Sequence, residues 1–530
     1  MTFRSPRTKI FTGAVAAFLS LTLLASCASA VGERRAAAGG EQVDGGVVRI
    51  GTLADLRPKT LYAGTATAET TVTGLVYDTL TTYGHDSLVP RPRLAESWEI
   101  DGAGTTVTLH LRPGVRFHSG DPLTSGDVAA SLANYADPSH SGQLARTAAL
   151  VNRVETTDPA TAVLHLDHRV NNLFDLLSIV PVIRAADVDG FNAGTVFNGT
   201  GAFRFGTWHP GASLRFTADT GYWGGAPTLD GAELVTVPDE RTLFSQLRSG
   251  QLDVVADASP RDQEILEDND LFTVVDRTGV DANTYLGLDT ASPALEDKRI
   301  RQAVGWAVDR DRILDEVFRG RGRADSLPWP TYSPAYDPDY AAGGTKAYRL
   351  DRDRARTLVE QVEQETGPAP EIPVAYAAGS QVEQNIAQIL AADLADVGLR
   401  ARLDPQEPGV MLDRLRGGTF GGIWVMGHGF SQFNPSTLTV SAFPFNSQKN
   451  GSNFTDPDYV THTGDAWTVA DPESDAARRI YAQVNDDLVE NAFILELVAP
   501  DSPLITTAAL HGVDWSKRSE LDLADAYLTD

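Results

Sequence analysis

The stretch from Leu94 to Tyr135 switches from a two-residue to a helical hydrophobic period, which commits the chain to mixing sheet and helix. Val107, Leu109 and Leu111 alternate with Thr106, Thr108, His110 and Arg112, the period of a half-buried strand. Pro113-Gly114 makes a turn, and Val115 and Phe117 resume the alternation, which predicts a second strand. After Ser119-Gly120-Asp121-Pro122 the apolar positions are Val128, Leu132 and Tyr135, at helical spacing. Thr124 precedes Asp127 by three residues. It is placed as an N-cap, with the Asp127 carboxylate at the positive end of the helix dipole.

At 530 residues the chain exceeds one ordinary core, so two or three lobes are expected. A formal net charge of -27 argues against nucleic acid, or an anionic membrane surface, as a partner. The single cysteine, Cys27, excludes an intrachain disulfide and a cysteine-based zinc site. Arg4, Arg7 and Lys9 precede an apolar run from Ile10 to Leu24, and Leu24-Ala25-Ser26-Cys27 resembles the bacterial lipobox. Residues 1–27 therefore read as a lipoprotein signal peptide with Cys27 as the acylation site. Acyl chains there anchor a protein to a membrane without a transmembrane helix. Residues 28–46, rich in Ala, Gly and charge, read as a flexible tether.

Further along, Val47 to Thr52 reads as a strand ending in a loop that carries Asp55 and Tyr62, a common position for binding residues in α/β proteins. Helix is expected over Thr71–Leu80 and strand around Val163–Leu166. A hairpin is expected from Phe203, Phe205, Leu214 and Phe216 about His209-Pro210-Gly211. Tyr222 and Trp223 read as packing residues. Asp239 and Asp309 read as helix caps, and Tyr285 starts a strand. Helices over Arg349–Glu365 and Val382–Leu394, then Gly398 and a strand at Leu399–Leu403, repeat the unit of an α/β sheet.

No metal-protease, nucleophile-elbow, phosphate-loop or EF-hand motif is present, so neither an enzyme nor a resident cofactor or metal is implied. The most unusual stretch is Phe420 to Asn446, whose only titratable side chain is His428. It mixes glycine with Trp424, Met426, Phe430, Phe433 and Phe445, and with the amides Gln432 and Asn434. Glycine admits close backbone approach, aromatic rings give flat apolar walls, and amides orient polar groups. Trp424, Met426, His428, Phe430, Gln432 and Asn434 are the expected ligand contacts here, with Asp55, Tyr62 and Tyr285 from elsewhere. A buried strand followed by an aromatic core loop is the competing reading.

The runs "LAESWE … LRPGVRFHSGDPLTSGDVAASL", "NGTGAFRFGTWHPGASLRFTADTGYWGGAPTLDG" and "RIRQAVGWAVDRDRI" resemble, in order, the family 5 extracellular solute-binding proteins, the peptide/nickel receptors of ABC importers. The resemblance implies an α/β, two-lobed, periplasmic-binding-protein-like fold (type II, cluster C) with an extra α+β subdomain. Lobe I would be 47–66, 191–280 and 500–530, its extra subdomain 67–190, and lobe II 281–499. It implies capture of a small solute, a short peptide first, and delivery to an ABC permease and its ATPase. The site would lie outside the cytoplasm, and the receptor would act as a monomer anchored through its lipid. Peptide-binding members carry an aspartate in the loop corresponding to Trp424–Thr437, and this chain has none. A metal–metallophore chelate touched by His428, or another non-peptide solute, is thus the alternative ligand. A cell-envelope hydrolase is the alternative of a different class.

Overall fold

A computed structural model describes residues 40–140, 142–256, 258–280, 282–341 and 344–530. The signal segment and Cys27 lie outside the described residues. Two mixed sheets, one per lobe, carry the architecture. The first has seven strands in the order Phe272–Asp276, Pro503–Thr507, Val254–Val255, Val47–Thr52, Gly231–Thr236, Ser213–Ala218, Phe203–His209. The second has six, in the order Arg323–Ala324, Ile494–Ala499, Asn283–Leu288, Ile423–His428, Ile372–Ala377, Ala401–Gln406. The C-terminal tail thus returns to the first sheet, where Pro503–Thr507 pairs antiparallel with Val254–Val255 and with Phe272–Asp276.

An antiparallel four-stranded sheet, Ala95–Ile100, Thr106–Leu111, Thr161–Leu166 and Val151–Asp158, forms the added α+β unit beside the first sheet. Val107, Leu109 and Leu111 are buried in it and their neighbours half-buried, as the alternation requires. The helix Ser125–Ala136 begins in a capping box, with Asp127 Oδ2 accepting from Thr124 N at 2.8 Å and from Thr124 Oγ1 at 2.8 Å. Val115 and Phe117 are buried but form no strand. Phe117 N donates to Asp121 O and Leu123 N to Val115 O, so the segment closes on itself as a loop. Tyr222 and Trp223 reach the buried Asp78, whose carboxylate accepts from Trp223 Nε1 (2.8 Å), Tyr222 Oη (3.3 Å), Thr200 Oγ1 (3.0 Å) and Arg93 Nε (2.8 Å). The end of the expected tether belongs to the fold, since Gln42–Val43 pairs with Leu528 and Thr529.

Each main sheet is packed on both faces. In the second, Leu286, Leu288, Ile423 and Val425 pack among residues of the helices Lys298–Ala307 and Gln381–Asp396. Tyr285 and Trp424 face a separate cluster with Tyr481, Leu488 and Phe445. Two short connections, 276 to 283 and 499 to 503, join the sheets and are tied together. Arg277 Nε donates to Ser502 O at 3.1 Å, and Ser502 N to Asp276 Oδ1 at 2.9 Å.

The lobes also meet directly. Phe433, Val440 and Trp467 of the second lobe are buried in the first lobe's core cluster. Asn171 N donates to Trp467 O at 2.9 Å, and Trp467 Nε1 to Asn172 Oδ1 at 2.7 Å. Asp175, buried on the helix Leu173–Ile179, accepts from Tyr83 Oη (2.7 Å) of its own lobe. It also accepts from Thr437 Oγ1 (2.6 Å) and Asn434 N (3.1 Å) of the other.

Candidate ligand-binding cleft

The strand Ile423–His428 lies antiparallel to Asn283–Leu288, with His428 opposite Asn283 and Trp424 opposite Gly287. Its alternation sends Trp424, Met426 and His428 to one face. Past His428 the chain leaves the sheet through Gly429 and Phe430, whose φ of +77° places a bulky residue in the left-handed region. This exit opens onto a cavity of about 340 Å³. His428, Gly429, Phe430 and Gln432 line it from the second lobe, and Thr65, Gln143, Lys517 and Arg518 from the first.

Gln432 Nε2 donates to Lys517 O across the cleft at 2.8 Å, and Lys517 Nζ donates to Tyr332 Oη at 3.0 Å. Arg518 is held by Ile179 O (3.3 Å) and Gly64 O (3.2 Å), with the Glu520 carboxylate 3.5 Å away. None of the described residues lining the cavity is acidic. A carboxylate nonetheless stands behind its wall: Glu496, from Ile494–Ala499, meets His428 Nε2 at 2.8 Å. His428 Nδ1 faces Gly429 O at 3.1 Å. Both ring nitrogens thus face oxygens of this chain, one of them on a buried carboxylate. Among the described residues, no group of three or more His, Cys, Asp or Glu is placed to hold a metal ion.

Of the nine residues expected to contact ligand, His428, Phe430 and Gln432 line this cavity. The others are held elsewhere. Trp424 is fully buried, stacked on Phe420 with centroids 4.2 Å apart, and its Nε1 donates to Tyr285 Oη at 3.2 Å. Tyr285 is likewise fully buried, and Met426 packs half-buried against the same cluster. These three belong to the core behind the cleft, as period-two alternation on a covered sheet dictates. Tyr62 is buried in the first lobe against Tyr135 and Phe191, each ring 5.0 Å away, and its hydroxyl accepts from Asn134 Nδ2. That burial pushes its phenol well above the ordinary range. Asp55 accepts from Trp208 Nε1 (3.1 Å) and Gly211 N (2.7 Å), pinning its loop to the hairpin turn. Asn434 caps the helix Pro435–Ser441 by accepting from Ser436 N at 3.0 Å.

A model of the bacterial extracellular solute-binding proteins, family 5 middle region, matches residues 89–450. The chain is a family 5 extracellular solute-binding protein. The probable di/tripeptide-binding protein 5 of Pseudomonas aeruginosa (strain UCBPP-PA14) is 26% identical over 456 residues, covering 79% of this chain and 84% of that protein. Among solved structures, the ABC transporter substrate-binding protein CtaP of Listeria monocytogenes superposes with a TM-score of 0.80 at 20% identity. The match covers 92% of this chain and all of that one. NikA of Brucella suis, solved with Fe(III)-EDTA, gives 0.79 at 20% identity, covering 91% and 99%. At such identities the structures establish the two-lobed binding-protein fold of this family 5 receptor. No described helix is long and apolar enough to cross a membrane.

Sequence reasoning passed over the first-lobe wall of this family 5 protein, namely Thr65, Gln143, Lys517 and Arg518. One signal was available. Lys517-Arg518 is a basic pair in a tail expected to cross back to the first lobe, within a chain of net charge -27.

Proposed function

We propose that this protein is the lipid-anchored receptor of an ABC importer and that it captures a short peptide between its lobes. The observation that carries this reading is the two-sided lining of the cleft, with Phe430 and Gln432 facing Gln143, Lys517 and Arg518. The amides of Gln432 and Gln143 match the groups of a peptide backbone, Phe430 gives an apolar wall, and the basic pair supplies a field for a terminal carboxylate. The name of the Pseudomonas relative supports the same class of solute.

In this account the open form admits the solute and closure buries it. The solute shifts that equilibrium only through contacts it makes better in the closed form. The closed receptor then docks on the permease, whose ATPase supplies the energy, and the solute leaves unchanged. The protein acts as a monomer on the outer face of the cytoplasmic membrane, held by acyl chains on Cys27. Cys27→Ala is expected to move it from the membrane to the soluble fraction on fractionation. Retention on the membrane would overturn the anchor.

Calorimetric titration with mixed di- to pentapeptides, and separately with nickel plus small chelators, tests the ligand class. Saturable heat with peptides alone is the expected result. Saturable heat with the chelates alone would replace the peptide by a metallophore, and turnover of any bound solute would make the protein a hydrolase.

A further inference from the structure

A second cavity, of about 510 Å³, lies on the seam between the lobes. Trp98, Ile100 and Phe174 line it from the first lobe, and Tyr332, Asn434 and Val469 from the second. Trp98 and Phe174 pack with ring centroids 5.0 Å apart. The rim residues Val89 and Ile100 are 70% and 50% exposed, apolar side chains left in water on a strongly acidic protein. Four charged residues line this cavity, Asp86, Arg169, Asp175 and Glu473, and two of them are held by hydrogen bonds. Asp175 accepts from three donors, and Arg169 at the mouth donates to Gly102 O and Ala103 O.

The walls of this space and of the cleft touch, although no described residue lines both. Gln432 and Phe433 line the cleft, and the next residue, Asn434, lines the apolar cavity. Tyr83, on the apolar side, packs its ring 6.4 Å from that of Phe433. Tyr332, also on the apolar side, donates to Gln432 O at 3.3 Å and accepts from Lys517 Nζ, and Gln432 and Lys517 both line the cleft.

We propose that the apolar cavity is a subsite for an aliphatic or aromatic extension of the solute whose polar part occupies the cleft. The contact of Tyr332 with Gln432 and Lys517 is what must open to admit it. The proposal rests on the reading of the cleft as the solute site. The volume falls within the roughly 300–1,000 Å³ of small-molecule pockets. Because both lobes contribute walls, an apolar group there makes contacts the open form lacks, and filling the cavity favours closure. Each methylene moved from water into such a lining strengthens binding, so an eight-carbon chain has ample reach for a tenfold gain.

The test is calorimetry with Ala-Ala-Ala, its N-octanoyl derivative and its C-terminal octyl amide, on the wild type and on a Val89→Glu/Ile100→Glu double variant. Both substituted positions are exposed, so the fold is retained. At least one octyl-bearing form is expected to bind the wild type tenfold or more tighter than the parent. In the double variant that gain is expected to fall below threefold, with the affinity of the parent unchanged. No gain in the wild type, or a gain untouched by the substitutions, would overturn the subsite while leaving the cleft reading intact. A silent parent with tight octyl forms, weakened in the variant, would remove the peptide reading and keep the subsite. Silence of all three would remove both.

Discussion

Asp175 shows at the scale of one residue how burial couples to the contact between lobes. Desolvation pushes its carboxyl up from 3.8 to about 6, and the hydrogen bonds from Thr437, Tyr83 and Asn434 offset only part of that cost. The folded protein therefore holds this proton more tightly than the unfolded chain. The stability it contributes is complete below about 3.8, declines as pH rises through about 6, and is flat above. The difference is on the order of 3 kcal/mol. Urea midpoints of wild type and Asp175→Asn across pH 4 to 7 check this. The wild-type advantage is expected to be largest at the acid end, and an advantage that grows with pH would contradict it. Trp424 and Phe430 give a second contrast. Trp424→Ala removes a fully buried ring and is expected to cost about 3–5 kcal/mol in denaturant unfolding, with the cleft residues still in place. Phe430→Ala is expected to leave the unfolding midpoint nearly unchanged and to weaken solute binding about tenfold, near 1.4 kcal/mol. The aromatic, uncharged character of residues 420–446 was legible in the sequence, but which rings face solute was not. That depends on the partner strand, and no local pattern in the chain names Asn283–Leu288 as the neighbour of Ile423–His428.

The elements explain why that strand pair is fixed. Gly287 lies opposite Trp424, and a Cβ built on Gly287 would sit 1.9 Å from the indole Cζ2. Gly287→Ala must displace either the ring or the strand, so a loss of about 1–3 kcal/mol or more is expected in thermal or urea unfolding. A neutral result would show the ring to be loosely held. Strands with clean alternation, such as Thr106–Leu111, and capped helices, such as Glu240–Arg248 behind Asp239, were readable because their signals are local. The supposed strand at Val115–Phe117 was misread because burial can alternate in a loop whose hydrogen bonds close on itself. The helix Pro435–Ser441 was masked by its aromatic and glycine-rich surroundings, although Asn434 before Pro435 is an N-cap followed by an N1 proline.

Across the whole molecule, two tied connections, the Asp175 contact and the exposed pair between Glu264 and Arg319, at 3.0 Å, link the lobes. The exposed pair adds little stability. The seam also holds the buried Phe433, Val440 and Trp467 and, beside them, the two cavities, which leave room for a solute to supply what closure lacks. The two-lobed plan was legible because several motifs occur in family order. The first-lobe wall was not, because Thr65, Gln143 and Lys517 are far apart in sequence and meet only after the tail rejoins the first sheet. Hydrogen–deuterium exchange with and without saturating peptide tests the central claim, a solute held between both lobes, most directly. The account predicts simultaneous protection of Gly427–Phe433 and of Lys517–Ser519. Protection confined to one lobe, or to a surface remote from both segments, would contradict it.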